Sequence, residues 1–126
     1  MIVGTGIDLV HVPRIEKVLS DRGERFVSHV LHAEEMPAYE ASKFKARMIA
    51  KRFAVKEAAT KALGTGQAQN VLLRHFYVLH DTNGKPELYA DEEAKVLCDD
   101  KNIDAMHVSI SDEGEYAIAW VTLESR

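Results

Sequence analysis

The 126-residue chain carries 16 Lys and Arg against 20 Asp and Glu, for a formal net charge of −4, with 46% hydrophobic and 29% charged residues. This is the make-up of one soluble globular domain with a modest core, and the acidic balance argues against nucleic-acid binding, which needs a basic surplus. A single cysteine, Cys98, excludes an internal disulfide and suggests a reducing compartment. The N-terminal stretch lacks a basic lead, and no run reaches the roughly 20 apolar residues of a membrane span, so a cytoplasmic location with no membrane partner is expected.

Residues 2–10, rich in Val and Ile, predict a strand, and Pro13 suits the first turn of a helix over about 13–22. Residues 24–40 read as short helical pieces with a break at Pro37. From Ser42, taken as an N-cap, a long helix runs to about Leu63 and is stopped by Gly64. "HFYVLHD" and "ELYA", joined through Asn83-Gly84, predict a hairpin. A helix over 91–100 with Asp91 as its cap follows, then a second hairpin, "AMHVSIS" and "EYAIAWVTLE", joined through Asp112–Gly114. The order β-α-β-β-α-β-β with extra early helices places the chain in the α+β class, a long helix on a mainly antiparallel sheet.

Three places break these patterns. On the long helix, a row stepping by four runs Ile49, Phe53, Glu57, Lys61 beside a second row Ala50, Ala54, Ala58, Ala62. The alanines let another backbone or a ligand approach, while the first row turns from apolar to charged. Glu57 and Lys61 read either as a surface ion pair or as part of a site. Asp8 sits inside a predicted strand, where aspartate is disfavoured, on the same face as Gly4 and Gly6; Val3, Ile7 and Leu9 face the other way. Those glycines read as room for something bulky or charged, the alternative being a strand-end cap or edge residue. In "HVSIS", Val108 and Ile110 form one face and His107, Ser109 and Ser111 the other, a polar strip or simply the solvent side.

Two carboxylates from distant parts of a chain suit Mg²⁺, which takes one or two protein acids, waters and substrate phosphate oxygens. Lys61, followed by Gly64, Thr65 and Gly66, has the make-up of a phosphate receiver. The six histidines show no HExxH arrangement, and one cysteine excludes a thiolate zinc site. His29 and His32 read as surface residues.

"FAVKEAATK", Phe53 to Lys61, resembles the (W/F)-(A/S)-x-K-E-A-x-x-K signature of the 4'-phosphopantetheinyl transferases, and "GID", Gly6 to Asp8, resembles their N-terminal G-x-D element. The spacing of the two, "GKP" at 84–86 and the "HVSIS" strand resemble the small, single-lobe bacterial type along essentially the whole chain. The resemblance implies Mg²⁺-dependent transfer of 4'-phosphopantetheine from coenzyme A to a serine of acyl carrier protein, releasing adenosine 3',5'-bisphosphate, in support of fatty acid biosynthesis. It implies metal binding by Asp8 and Glu57, a pyrophosphate contact by Lys61, a coenzyme A cradle of Gly64, Thr65, Gly66 and Pro86, and a nucleotide side of His107 and Ser109. The serine's proton goes to Glu57 or to a metal-bound water, between which the sequence does not choose. Val10 stands where larger relatives place a third acid, and Asp112 where many small relatives have histidine, so Asp112 is left out of the site. A single lobe implies a homotrimer with active sites at subunit boundaries. The resemblance also favours docking of the acidic carrier on a patch of Arg14, Lys17, Val18, Arg22 and Arg25, although Glu16, Asp21 and Glu24 are interleaved with it.

Overall fold

The computed structural model describes residues 1–64 and 70–126. Strand β1 (Ile2–His11) leads into α1 (Val12–Arg22), α2 (Glu24–Val30), a 3₁₀ turn over Ala33–Glu35, α3 (Met36–Ala41) and the long helix α4 (Lys45–Leu63). Beyond Asn70, a second 3₁₀ turn over Leu73–His75 precedes β2 (Phe76–His80) and β3 (Pro86–Ala90), then α5 (Glu92–Asp100), β4 (Ile103–Glu113) and β5 (Tyr116–Ser125). The expected order is met, and both predicted hairpins are antiparallel pairs. The larger sheet has the order β1-β5-β4, with β1 also antiparallel to β5; β2 and β3 form a separate pair.

Two predicted boundaries are corrected. Ser42 does not cap α4: it sits in extended conformation at the end of α3, its hydroxyl accepts from the Phe44 amide, and α4 starts at Lys45 without a side-chain cap. Pro37 does not break a helix but opens α3, in the first turn where a missing N–H costs nothing. At the other end Gly64 stops α4 in the left-handed region, φ 79°, as expected, with its amide donating to the carbonyls of Thr60 and Lys61.

The close approach of β1 to α4 sets the geometry of everything that follows. A Cβ on Gly4 would lie 2.0 Å from the Ala62 carbonyl oxygen, and one on Gly6 only 1.9 Å from that of Ala58. The glycines and the alanine row are therefore two halves of one contact, and the room that the sequence suggested for a ligand is filled by the helix backbone. Ala50, Ala54 and Ala58 are fully buried there, and Val108, Ile110, Ala117, Ala119, Val121 and Leu123 supply the rest of the sheet's packed face. Gly6→Ala is expected to cost about 1–3 kcal/mol through forced separation of strand and helix, read as a lower midpoint in urea unfolding.

The opposite sheet face is open and apolar. Ile7, Leu9 and Trp120 are 46%, 62% and 49% exposed. The register places Ile7 beside Trp120 and Trp120 beside Ser109, with His107 beside Thr122 and Thr122 beside Thr5. His107, Ser109 and Ser111 thus lie on the outer face, and Val108 and Ile110 point to the core, as their alternation predicts.

Candidate active site

Asp8 follows Gly6 on the helix-facing side of β1, and Glu57 and Lys61 lie on successive turns of α4, so the tight strand–helix contact draws the three side chains together. Lys61 does not pair with Glu57. Its Nζ donates to Asp8 Oδ1 at 3.1 Å and to the Ile7 carbonyl oxygen at 2.9 Å. The other oxygen, Asp8 Oδ2, is buried and has no hydrogen-bond partner among the described residues. Burial, and then the neighbouring charge of Asp8, push the Glu57 carboxyl above its usual range, while Lys61 and His29 pull it the other way.

Two partly buried acids that repel each other, one with an orphaned oxygen, form a donor set that a divalent cation satisfies. The chemistry of the pair fits Mg²⁺, with water or substrate oxygens completing the shell. A second acidic group, His75 with Glu92 and Glu93, does not fit a metal despite its compactness. His75 Nδ1 accepts from the Leu72 amide, so the neutral ring keeps its proton on Nε2, which faces the two carboxylates at 3.2 and 3.4 Å. It is a donor that ties the start of α5 to the preceding 3₁₀ turn.

The remaining predicted residues divide into groups. Gly64 is the α4 cap, just beyond Lys61; Thr65 and Gly66 lie outside the described residues. Pro86 and His107 come together, lining a cavity of about 180 Å³ with Lys85, Tyr89 and Met106. His107 pairs with Glu124 on the outer sheet face, so within one chain His107 and Ser109 are separated from Asp8 by the thickness of the sheet. On α1, Lys17 is already engaged with Asp21 at 2.9 Å, leaving the exposed Arg14 and Arg22, with Arg25 on α2, as the cations of the predicted patch, and Val18 half-buried beside them. Arg22 and Arg25 line a cavity of about 600 Å³ with Asp21, Phe26 and His29. Asp112 is held by Arg47 at 3.0 Å and lies 3.6 Å from Lys51, joining the β4–β5 turn to α4.

Two features were missed by sequence reasoning. His29 is close enough for its charge to act on Glu57. Phe26 packs on Phe53 with ring centroids 6.4 Å apart, and Lys56 Nζ donates to the Val30 carbonyl, so α2 runs alongside α4 with His29 between those contacts. The other is a buried charge group. Glu35, wholly buried, accepts from Lys56 at 2.5 Å and from the amides of His32 and Val78 at 3.0 Å, while Arg52 Nε lies 3.1 Å away but out of line for a hydrogen bond. The signature's first lysine is therefore a core residue, and its neighbour Glu57 is turned towards β1.

A family model of the 4'-phosphopantetheinyl transferase superfamily matches residues 4–121. The chain is 48% identical to a holo-[acyl-carrier-protein] synthase of Vibrio cholerae over the full length of both. The crystal structure of holo-[acyl-carrier-protein] synthase from Neisseria meningitidis matches with a TM-score of 0.93 at 34% identity, over 99% of this chain and 100% of that one. The structure of such a synthase from Bacillus anthracis in complex with coenzyme A (3',5'-ADP) matches with a TM-score of 0.83 at 36% identity, over 100% of this chain and 99% of that one. Helix-facing Asp8, Glu57 and Lys61 one strand–helix contact away and these full-length matches agree: the chain belongs to the 4'-phosphopantetheinyl transferase superfamily.

Proposed function

We propose that the chain transfers the 4'-phosphopantetheine group of coenzyme A to a serine hydroxyl of apo acyl carrier protein, with Mg²⁺ held by Asp8 and Glu57. The observation that carries this reading is the convergence of Asp8, Glu57 and Lys61 around an unpartnered buried carboxylate oxygen. When bound, Mg²⁺ supplies charge neutralisation at the pyrophosphate. Lys61 adds a mobile positive charge for the same group, since transfer at phosphorus mainly needs neutralisation and alignment. The proton of the incoming serine hydroxyl goes to Glu57 or to a water held at the metal. Gly64 to Gly66 and Pro86 cradle the coenzyme, and His107 and Ser109 take its nucleotide side.

Because His107 and Ser109 face away from Asp8, they complete a site only if they belong to a neighbouring copy. The exposed Ile7, Leu9 and Trp120 supply an apolar face for such an association, which is read as a homotrimer and checked by sedimentation equilibrium. The acidic carrier docks on Arg14, Lys17, Val18 and Arg22, with Arg25 extending the patch. Arg14→Ala is expected to raise the KM for carrier several-fold, leave the KM for coenzyme A unchanged and weaken the salt dependence of the rate.

Incubation with coenzyme A, Mg²⁺ and apo carrier protein, followed by mass spectrometry of the carrier, tests the reaction. Addition of the phosphopantetheine mass is the expected result. Cleavage of coenzyme A without modification of the carrier would assign the site to a nucleotide pyrophosphate hydrolase, and no turnover would leave a non-catalytic binding module.

A further inference from the structure

The cation position beside Asp8 already has an occupant that belongs to the chain. Lys61 Nζ is 3.1 Å from Asp8 Oδ1 and 2.9 Å from the Ile7 carbonyl oxygen. Asp8 is well covered, its side chain 17% exposed, while the Lys61 side chain is 54% exposed. The carboxylate is thus fixed by the strand, and the ammonium sits on the end of a flexible four-carbon stem with solvent on one side. The same ammonium acts on Glu57, lowering the carboxyl that burial and Asp8 raise. Lys61 thus supplies positive charge directly to Asp8 Oδ1 and at longer range to Glu57.

From this arrangement the geometry points to Lys61 as an internal competitor of the metal: a divalent cation and the Lys61 ammonium exclude each other at Asp8, and a diphosphate ligand relieves the competition by drawing Lys61 away. The inference rests on the assignment of Asp8 and Glu57 as metal ligands. A divalent ion entering beside Asp8 meets an ammonium within contact distance, and like charges so close in a partly desolvated site repel strongly. Lys61 cannot satisfy both Asp8 and a phosphate in one position, whereas its exposed stem lets it swing between them. The ligand-free chain therefore binds the metal weakly. A diphosphate strengthens metal binding by ligating the ion and by removing Lys61 from Asp8, and the metal strengthens diphosphate binding by the same factor. Lys61 thus disfavours loading of the site with metal alone.

Titration of the full-length chain with Mn²⁺ alone, followed by the electron paramagnetic resonance signal of the free ion, separates this role from a plain phosphate contact. Lys61→Met keeps most of the stem and removes the charge. It is expected to bind Mn²⁺ about tenfold more tightly than the unmodified chain, within the usual range of coupling between sites. Lys61→Gln is expected to do the same, so the result does not depend on one variant's folding. Addition of ADP as a diphosphate probe should tighten Mn²⁺ binding by a larger factor in the unmodified chain than in either variant. If both variants bind Mn²⁺ no more tightly than the unmodified chain while Asp8→Asn abolishes binding, the competition is overturned and the metal site stands. If Asp8→Asn leaves Mn²⁺ binding unchanged, the metal site itself falls, and the inference with it.

Discussion

Asp8→Asn and Glu57→Gln are each expected to lower carrier modification by about three orders of magnitude, the several kcal/mol that a metal ion contributes at a transferring phosphoryl group. Each is expected to change the melting temperature by only a few degrees. The two halves of this expectation come from the same geometry. Glu57 carries its charge at a cost in the fold, because burial and Asp8 both disfavour the ionised form. A neutral glutamine of the same shape relieves that cost. Asp8 is compensated by Lys61 through a half-exposed ammonium, a contact that contributes little to folding. Residues whose charge the fold tolerates poorly, yet whose removal destroys the reaction, mark a site held in a stability–activity trade-off. Initial rates followed by mass spectrometry of the carrier, alongside thermal melts, check both halves. A variant that keeps its rate within tenfold of the unmodified chain would remove that acid from the chemistry.

The order of elements was readable because periodicity, turn residues and helix stops agree along most of this chain. Gly64 ends α4 and Asn83-Gly84 lies in the turn between β2 and β3, and the alternation in "HVSIS" divides the strand as predicted. The readings that failed depended on what meets what. Gly4 and Gly6 were visible as side-chain-free positions, and Ala58 and Ala62 as a small-residue row, but only the packed structure shows that each explains the other. Alternation likewise gave two faces of β1 without saying which of them the helix covers. It is the glycine face, so Ile7 and Leu9 are left to solvent. Asp8 and Glu57 were recoverable because their signal is local, a carboxylate breaking a strand and another breaking an apolar row. Their convergence was legible only through the family signature. His29 is exposed, as read, but nothing in its own neighbourhood reports that α2 lies along α4. Ser42 failed as a cap for a different reason: its hydroxyl bonds two residues ahead to Phe44, a local turn that competes with helix initiation.

Glu35→Ala is expected to destabilise the fold by about 3–5 kcal/mol, the usual cost of leaving a buried ion uncompensated. Glu35 lies in a segment that reads as polar and mixed, yet it is wholly buried, accepts from three donors, Lys56 and the amides of His32 and Val78, and has the charge of Arg52 3.1 Å away. Burial pulls the Lys56 ammonium down to about 8, and only the charge and hydrogen bond of Glu35 hold it up, against the further opposition of Arg52. Alanine removes that support, opens a cavity and strands two cations and two amides. Replacing the pair together, Glu35→Leu with Lys56→Met, is expected to recover only part of the loss, since Arg52 and both amides stay without their acceptor. The position of this group makes the effect reach the site. Lys56 is anchored to the Val30 carbonyl and to Glu35 on one side of α4, and Glu57, the next residue along, is directed by that anchor towards Asp8. Urea unfolding of the single and double variants measures the stability change. A single-variant loss below about 1 kcal/mol, the scale of an ordinary neutral hydrogen bond, would mean that α4 is held in place by its alanine contact with β1 and not by the buried charges.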